Sequence, residues 1–371
     1  MAMLALPIIK PVFALGIECR DKGSRALACN GSEAKVRSFV SESERVNARK
    51  NASLARVIAS ANSQLMTENA FGPVVLGGNV FGWTVEQDTA FRIFDAFADF
   101  GGRAIDTADV YPAWIPGREG GESEQMIGAW LAQRGRRDQF KIATKVGKWD
   151  RQKGLAPANL RAAVEGSLQR LHTDYIDIYY AHEDDPSVPQ EEYLRAFDAL
   201  VKEGKVRALG ASNFSADRLS SALAISRQNG LASFQYAQDR WNLADRALER
   251  ELLPTLQREG VQEFPYYSLA SGFLTGKYRP GGNVESVRAK GAAEYLANPK
   301  NIQLLAALDE IASAHDAPVA AVSLAWLRAQ PSVIAPIASA RTLEQLRPLF
   351  QSVDVRLSED DVARLSKITA P

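Results

Sequence analysis

Asp106, Lys145, His182, Ser212 with Asn213, Gln235, Tyr266, and Ser339 with Arg341 each close a short apolar or β-branched run. Gathered in one place, such groups could move a proton, hold a carbonyl oxygen or grip a phosphate. Lys145, in KIATKVG, has Ile142, Ala143 and Val146 around it. That setting implies a buried strand, and a buried Lys is rare unless paired. Asp106, which ends RAID, is a candidate partner. Three other readings of Lys145 stand beside this one: a structural ion pair, a side chain that snorkels to the rim, or the Schiff-base nucleophile of a lyase or aldolase. His182 ends YIDIYYAH and is followed by Glu183, Asp184 and Asp185. The chain holds 3 histidines, and His172 and His315 fall near helix ends. With no H-x-H or H-E-x-x-H spacing, no metal is expected. Tyr111 stands five residues past Asp106, where a Tyr taken alone is more often a loop anchor than an acid.

Something has to bring these residues together. From Phe71 onward, short apolar runs alternate with segments of helical period, which signals βα units and a parallel sheet. Strands are expected at 74–77, 103–106, 140–146, 175–182, 206–212, 233–239, 261–268 and 333–339. Helices are expected at 86–100, 123–134, 158–171, 191–203, 216–228, 245–259, 301–315, 319–329, 343–350 and 359–367. The first shows its face in Ala90, Phe91, Phe94, Phe97 and Ala98, and Ser358 is placed to cap the last. Eight units in about 300 residues imply a (β/α)₈ TIM barrel, whose chemistry sits at the C-terminal strand ends. A doubly wound sheet would advertise G-x-G-x-x-G after its first strand, and the chain lacks it.

Residues 1–65 differ from this domain, which is taken as 66–371. They mix Ser, Asn, Ala, Arg and Lys without period, and Pro7, Lys10 and Pro11 break the apolar start. They read as a disordered leader or an over-long gene start, with Met66 as the working initiator. Cys19 and Cys29 both lie there, so no disulfide or thiolate serves the domain. This fits a reducing compartment, and a cytoplasmic location is expected. Basic and acidic residues balance at 44 each, which argues against a general nucleic-acid binder. No apolar run reaches the roughly 20 residues of a membrane span. Monomer and homo-oligomer both stay open.

IDTADVY (105–111), KIATK (141–145), DYIDIYYAH (174–182), LGASNFS (209–215), GFLTGKY (272–278) and PIASARTLEQL (336–346) closely resemble the aldo-keto reductase superfamily, its bacterial-type NADP-dependent members in particular. The resemblance implies a catalytic tetrad of Asp106, Tyr111, Lys145 and His182. Tyr111 would protonate a carbonyl as it accepts hydride, the Lys145 ammonium would stabilise the developing phenolate, Asp106 would orient Lys145, and His182 would hydrogen-bond the oxygen. It implies NADPH (NADP+) as cofactor and a small-molecule carbonyl as substrate. Ser212, Asn213 and Gln235 would contact the carboxamide, and Tyr266 would stack on the nicotinamide. Ser268, Leu269 and Ser271 would clasp the pyrophosphate, with Gly78 and Asn79 near the ribose. Ser339 and Arg341 would take the 2′-phosphate, and Gln345 the adenine. Trp83, Trp114, Trp149 and Phe214 are candidate substrate walls, with core cover as the equal alternative for the tryptophans. The insertion at 278–298 reads as a lid or as a disordered loop. A cofactor-binding module without turnover is the remaining rival. The sequence also departs from the family. Asn79 stands where many relatives have Thr, and Leu349 where an Asn commonly serves the adenine. Glu263 sits in a strand that should be apolar, with no sequence-level account.

Overall fold

The structure, a computed structural model, describes residues 70–135, 137–282 and 284–371. The expected leader at 1–65 and the Met66 start lie outside the described residues. Eight parallel strands form the sheet: β1 (Val75–Gly77), β2 (Ala104–Asp106), β3 (Lys141–Val146), β4 (Ile176–Ala181), β5 (Val206–Ser212), β6 (Phe234–Gln238), β7 (Gln262–Glu263) and β8 (Ile337–Ala338). Each pairs with its sequence neighbour, and β8 pairs with β1. The ring closes because Glu263 bridges Val333 in parallel, and the Ile337 N–H donates to the Pro265 carbonyl at 2.8 Å. The expected (β/α)₈ barrel is the observed fold.

Helices α1 (Gln87–Asp99), α2 (Glu122–Arg134), α3 (Pro157–Arg170), α4 (Gln190–Lys202), α5 (Ala216–Asn229) and α6 (Leu248–Glu259) follow β1 to β6 in turn. Helices α7 (Ala289–Leu296), α8 (Pro299–Ala314) and α9 (Val319–Arg328) follow β7, and α10 (Leu346–Gln351) and α11 (Glu359–Ile368) follow β8. In α1 the buried positions are Ala90, Ile93, Phe94 and Phe97, the spacing that puts one helical stripe on a sheet. Ser215 caps α5, and Ser358 with Asp361 forms a capping box on α11. Alternate strand residues feed two cores. Val75, Ala104, Ala143, Ile178, Tyr180 and Phe264 fill one cluster, while Leu76, Ile105, Ile142 and Tyr179 join the larger cluster with the helices. Both faces are covered, which is why these strands read as continuous apolar runs. Among the described residues, no helix is long and apolar enough to cross a membrane.

Five elements depart from expectation, the first four for a visible reason. Strands β7 and β8 are shorter than 261–268 and 333–339, because Pro265 and Pro336 offer no N–H to the ladder. Helix α6 begins at Leu248 rather than 245. The Asn242 side chain accepts from the Ala244 and Asp245 N–H groups and holds a turn there. The insertion at 278–298 is not a disordered loop, since it contains α7, whose Ala292 is buried and whose Tyr295 stacks on Phe273 at 5.4 Å. A hairpin, Lys148–Trp149 against Gln152–Lys153, follows β3 and has no counterpart in the sequence reading.

Helices α2 and α3 meet where Gly128 faces the end of α3. A Cβ on Gly128 would lie 2.2 Å from the Arg170 carbonyl oxygen and 2.7 Å from Leu171 Cα, both backbone atoms. Gly128→Ala is therefore expected to cost about 1–3 kcal/mol, the usual range for overpacking. A urea unfolding midpoint equal to wild type would show that the helices part freely.

Candidate active site

The C-terminal strand ends open into one cavity of about 780 Å³. Lys145, next to last in β3, is 1% exposed. Its Nζ donates to Asp106 Oδ2 and to the Thr107 carbonyl, both at 2.7 Å, and lies 3.5 Å from the Tyr111 hydroxyl. Gln238, the last residue of β6, donates from Nε2 to the other Asp106 oxygen at 2.8 Å. Burial pushes the Asp106 carboxyl up and the Lys145 ammonium down from their ordinary values, and their mutual contact opposes both shifts. Tyr111 is half-buried and lines the cavity. Burial holds its hydroxyl well above the ordinary 10, with Asp106, Asp109 and Tyr267 adding to the effect. At rest the phenol therefore keeps its proton, although an ammonium stands beside it.

His182, one residue past β4, packs edge-to-face on Tyr111 with ring centroids 5.9 Å apart. Burial first, then Lys145 and Lys148, hold its pKa well below the ordinary 6.5, so the imidazole is neutral. Its Nδ1 is buried and has no hydrogen-bond partner among the described residues.

Beside this group lies an amide-rich corner. Asn213, in left-handed backbone with φ 58°, donates from Nδ2 to the His182 carbonyl and to Ser212 Oγ, each at 2.9 Å. The Tyr266 hydroxyl donates to Asn213 Oδ1 at 2.8 Å. Beneath it, Asp239 Oδ1 accepts the Asn213 N–H at 2.9 Å.

The cavity's far end is basic. Ser339 Oγ donates to Asn79 Oδ1 at 2.8 Å, and Gln345 Oε1 accepts the Arg341 N–H at 2.9 Å. Arg341, Arg288, Lys277 and Lys290 all line this end. Burial lowers the Arg288 pKa, and neighbouring Arg341 lowers it further. Neither arginine has an ion-pair partner among the described carboxylates, so two neighbouring unpaired guanidiniums line a cavity that suits an anion. Gly77 permits this crowding, because a Cβ there would sit 2.6 Å from Ser339 Oγ.

Asp106, Tyr111 and His182 line the cavity, and Lys145 lies just beneath them. Gly78, Asn79, Ser212, Asn213, Tyr266, Ser268, Leu269, Ser271, Ser339, Arg341 and Gln345 line it as well. Gln235 does not: it is exposed in the first half of β6, and the glutamine at the strand's C-terminal end is Gln238. Phe214 is no substrate wall, since it is buried against Phe234 with centroids 5.7 Å apart. Trp149 does not line the cavity either. Its indole N–H donates to the Glu119 carbonyl at 3.0 Å, and its ring sits against Gly120. Trp83 lines the cavity, and half-exposed Trp114 touches both Trp83 and Tyr111 edge-to-face. The sequence reading missed Arg288, which lies in a Gly-rich insertion with no strand or helix period to flag it. It also missed Lys277, inside a recognised motif. Among the described residues, no group of three or more His, Cys, Asp or Glu could hold a metal.

The chain is similar to known proteins of one family. The model of the Aldo/keto reductase family matches residues 73–370. The chain is 31% identical over 311 residues to an aryl-alcohol dehydrogenase of Pestalotiopsis microspora, covering 80% of this chain and 78% of that protein. It is 35% identical to an uncharacterized oxidoreductase of Bacillus subtilis, covering 79% and 90% of the two chains. A norsolorinic acid reductase of Emericella nidulans is 33% identical, with 78% and 76% covered.

The two glutamines of β6 are separable by experiment. Gln238→Ala strips a hydrogen bond from buried Asp106 and is expected to cost about 1–3 kcal/mol. Gln235→Ala, on the surface, is expected to stay within about 0.5 kcal/mol. Equal losses in chemical denaturation would remove Gln238 from the Asp106 network.

Proposed function

We propose that this chain, which belongs to the aldo/keto reductase family, reduces an aldehyde or ketone to an alcohol with NADPH, using Tyr111 as the acid. Membership makes it an oxidoreductase acting on carbonyl or alcohol groups. The observation that carries the finer reading is the cluster at Tyr111. A protonated hydroxyl lies 3.5 Å from a buried ammonium that is itself held by Asp106 and a carbonyl.

The polarity of the cavity supports the cofactor. Asn213, Ser212 and Gln238 offer amide and hydroxyl groups at the chemistry end, suited to a carboxamide. Arg288 and Arg341 stand together at the other end, suited to the 2′-phosphate of NADPH, which a guanidinium grips far better than a ribose hydroxyl. The reduced nicotinamide would supply the hydride. The side chains do the rest. The substrate oxygen would sit between the Tyr111 hydroxyl and His182. Leaving a bare lone pair on buried Nδ1 costs less than leaving an N–H unpaired there, so Nε2 would carry the proton and donate to that oxygen. A neutral imidazole offers no net proton, which leaves Tyr111 to give one. As its proton leaves, the phenolate is stabilised by the Lys145 ammonium. Trp83 and Tyr267 line the cavity, with Trp114 packed edge-on against Trp83, and such rings suit an aromatic carbonyl.

A Schiff-base role for Lys145 fits poorly. Its nitrogen is already engaged by two oxygens and does not line the cavity.

Two outcomes are expected. Tyr111→Phe should lose about 10²-fold or more in kcat while the Kd for NADPH stays near wild type. Unchanged turnover with an aromatic aldehyde would sink the assignment, and a wild type that binds NADPH yet reduces no carbonyl would favour a sensing role. Arg341→Ala and Arg288→Ala should each weaken NADPH about tenfold or more, as for a lost charge-assisted hydrogen bond, and NADH far less. Equal losses for both cofactors would take the arginine away from the 2′-phosphate.

A further inference from the structure

Glu263 and Asp239 are two acids that the chemistry just described leaves unused. Glu263 is fully buried and Asp239 is 8% exposed. Neither forms an ion pair with a described Lys or Arg. Glu263 Oε1 accepts the Asp239 backbone N–H at 2.8 Å, and its Oε2 is buried without a partner among the described residues. Asp239 Oδ1 accepts the Asn213 N–H at 2.9 Å. Two carboxyls side by side without a cation are costly to a fold and are kept where their titration or geometry is used. What they hold here is Asn213, whose left-handed backbone is uncommon for a non-glycine residue. Asn213 in turn carries the Tyr266 hydroxyl on its side chain.

We propose that Asp239 and Glu263 form a paired positioning group that sets Asn213 and Tyr266 for the nicotinamide and makes cofactor affinity depend on proton release. This rests on the NADPH reading of the site. Glu263 braces the backbone at Asp239 from the seam where β7 meets the strand from Val333. Asp239 braces Asn213. Burial pushes Asp239 up to about 7. Burial and then Asp239 push Glu263 well above the usual carboxyl range, so the pair keeps a proton near neutrality. The other ionisable groups around the pair are Tyr180 on β4 and Tyr266 beyond β7, both held protonated, with Arg240 close to Tyr266. An anion on Asp239 strengthens the bond from Asn213 and favours a positively charged nicotinamide over its neutral reduced form. The proton leaves to solvent, and no other bond changes.

The sign of the linkage is fixed. The folded pKa of Asp239 is raised from the usual 3.8 to about 7. The folded state therefore holds more protons in that window, and stability without cofactor falls as pH rises through it. NADP+ binding, which favours the anion, should release a fraction of a proton near neutrality and tighten as pH rises.

The test is calorimetric titration of the full chain with NADP+ and with NADPH from pH 6 to 8, in buffers of differing ionisation enthalpy. Wild type should bind NADP+ about fivefold or more tightly at the upper pH, with proton release, while NADPH changes little. Asp239→Ala should weaken both forms at every pH. Asp239→Asn, which keeps the acceptor for Asn213, should restore affinity yet show neither pH dependence nor proton release. In thermal melts without cofactor, Asp239→Asn and Glu263→Gln should each lose less stability than wild type toward pH 8. A wild-type pH dependence persisting in Asp239→Asn, or wild-type affinity in Asp239→Ala, overturns the proposal. Binding of neither nucleotide by a folded wild type would overturn the NADPH reading, and the pair's role with it.

Discussion

Burying the Lys145 ammonium inside a parallel barrel forfeits several kcal/mol of hydration, and the rim is arranged to replace what is lost. Asp106 Oδ2 and the Thr107 carbonyl each take a hydrogen from Nζ at 2.7 Å. Those two oxygens can be there only if β2 ends beside β3. The register that pairs Asp106 with Ala143, two residues before Lys145, ensures it. The carbonyl must also be turned inward and kept there. The Thr107 hydroxyl donates to Ser123 Oγ, which donates to the Gly78 carbonyl, tying β2 to the start of α2 and the end of β1. Gln238 reaches across from β6 to hold the second Asp106 oxygen. Tyr111 then needs no separate device to find its place, because the short segment that carries it is pinned at both ends.

That constraint also explains what could be read from the residues. Strands covered on both faces show as apolar runs, so β1 to β6 were legible to within a few residues. A lysine inside such a run needs an acid nearby, which made Asp106 legible too. Register was not. FQYAQ holds a glutamine at each end of its usable range, and only the strand's true end shows that Gln238 faces Asp106 while Gln235 is exposed. Pocket wall and core cover stayed equal for Trp149 because the hairpin that turns it onto Gly120 leaves no periodic trace. Arg288 was invisible for the same reason, since its position depends on where α7 docks. Glu263 contradicted its strand's pattern and had no account. Its partner is the Asp239 backbone, in the loop after β6, and sequence alone cannot place that contact.

Buried acids gather near the rim. Both Asp109 carboxyl oxygens are buried without a side-chain partner among the described residues. Burial and then Glu124 hold that group well above the usual range, so it stays protonated. Glu124 itself takes hydrogens from Thr144 and Arg170, both at 2.6 Å. A barrel optimised for stability alone would fill such positions with apolar side chains. Fixing a hydroxyl beside a buried cation instead requires polar groups that cannot drift, and they are fixed by being enclosed. The cost in stability and the precision of the site thus have one origin.

The tripeptide 238–240 shows how far this economy extends. Gln238 holds Asp106 at the chemistry end, and Asp239 holds Asn213. Arg240 turns the other way: it donates to Asp245 at 3.0 Å and to the Tyr295 hydroxyl at 2.6 Å, and its guanidinium lies 4.8 Å from the Tyr267 ring centroid. Tyr295 belongs to α7, and α7 begins one residue after Arg288, a half-buried guanidinium that lines the cavity. One short loop therefore holds Asp106 and Asn213 on one side and, through Tyr295, the insertion that carries Arg288 on the other.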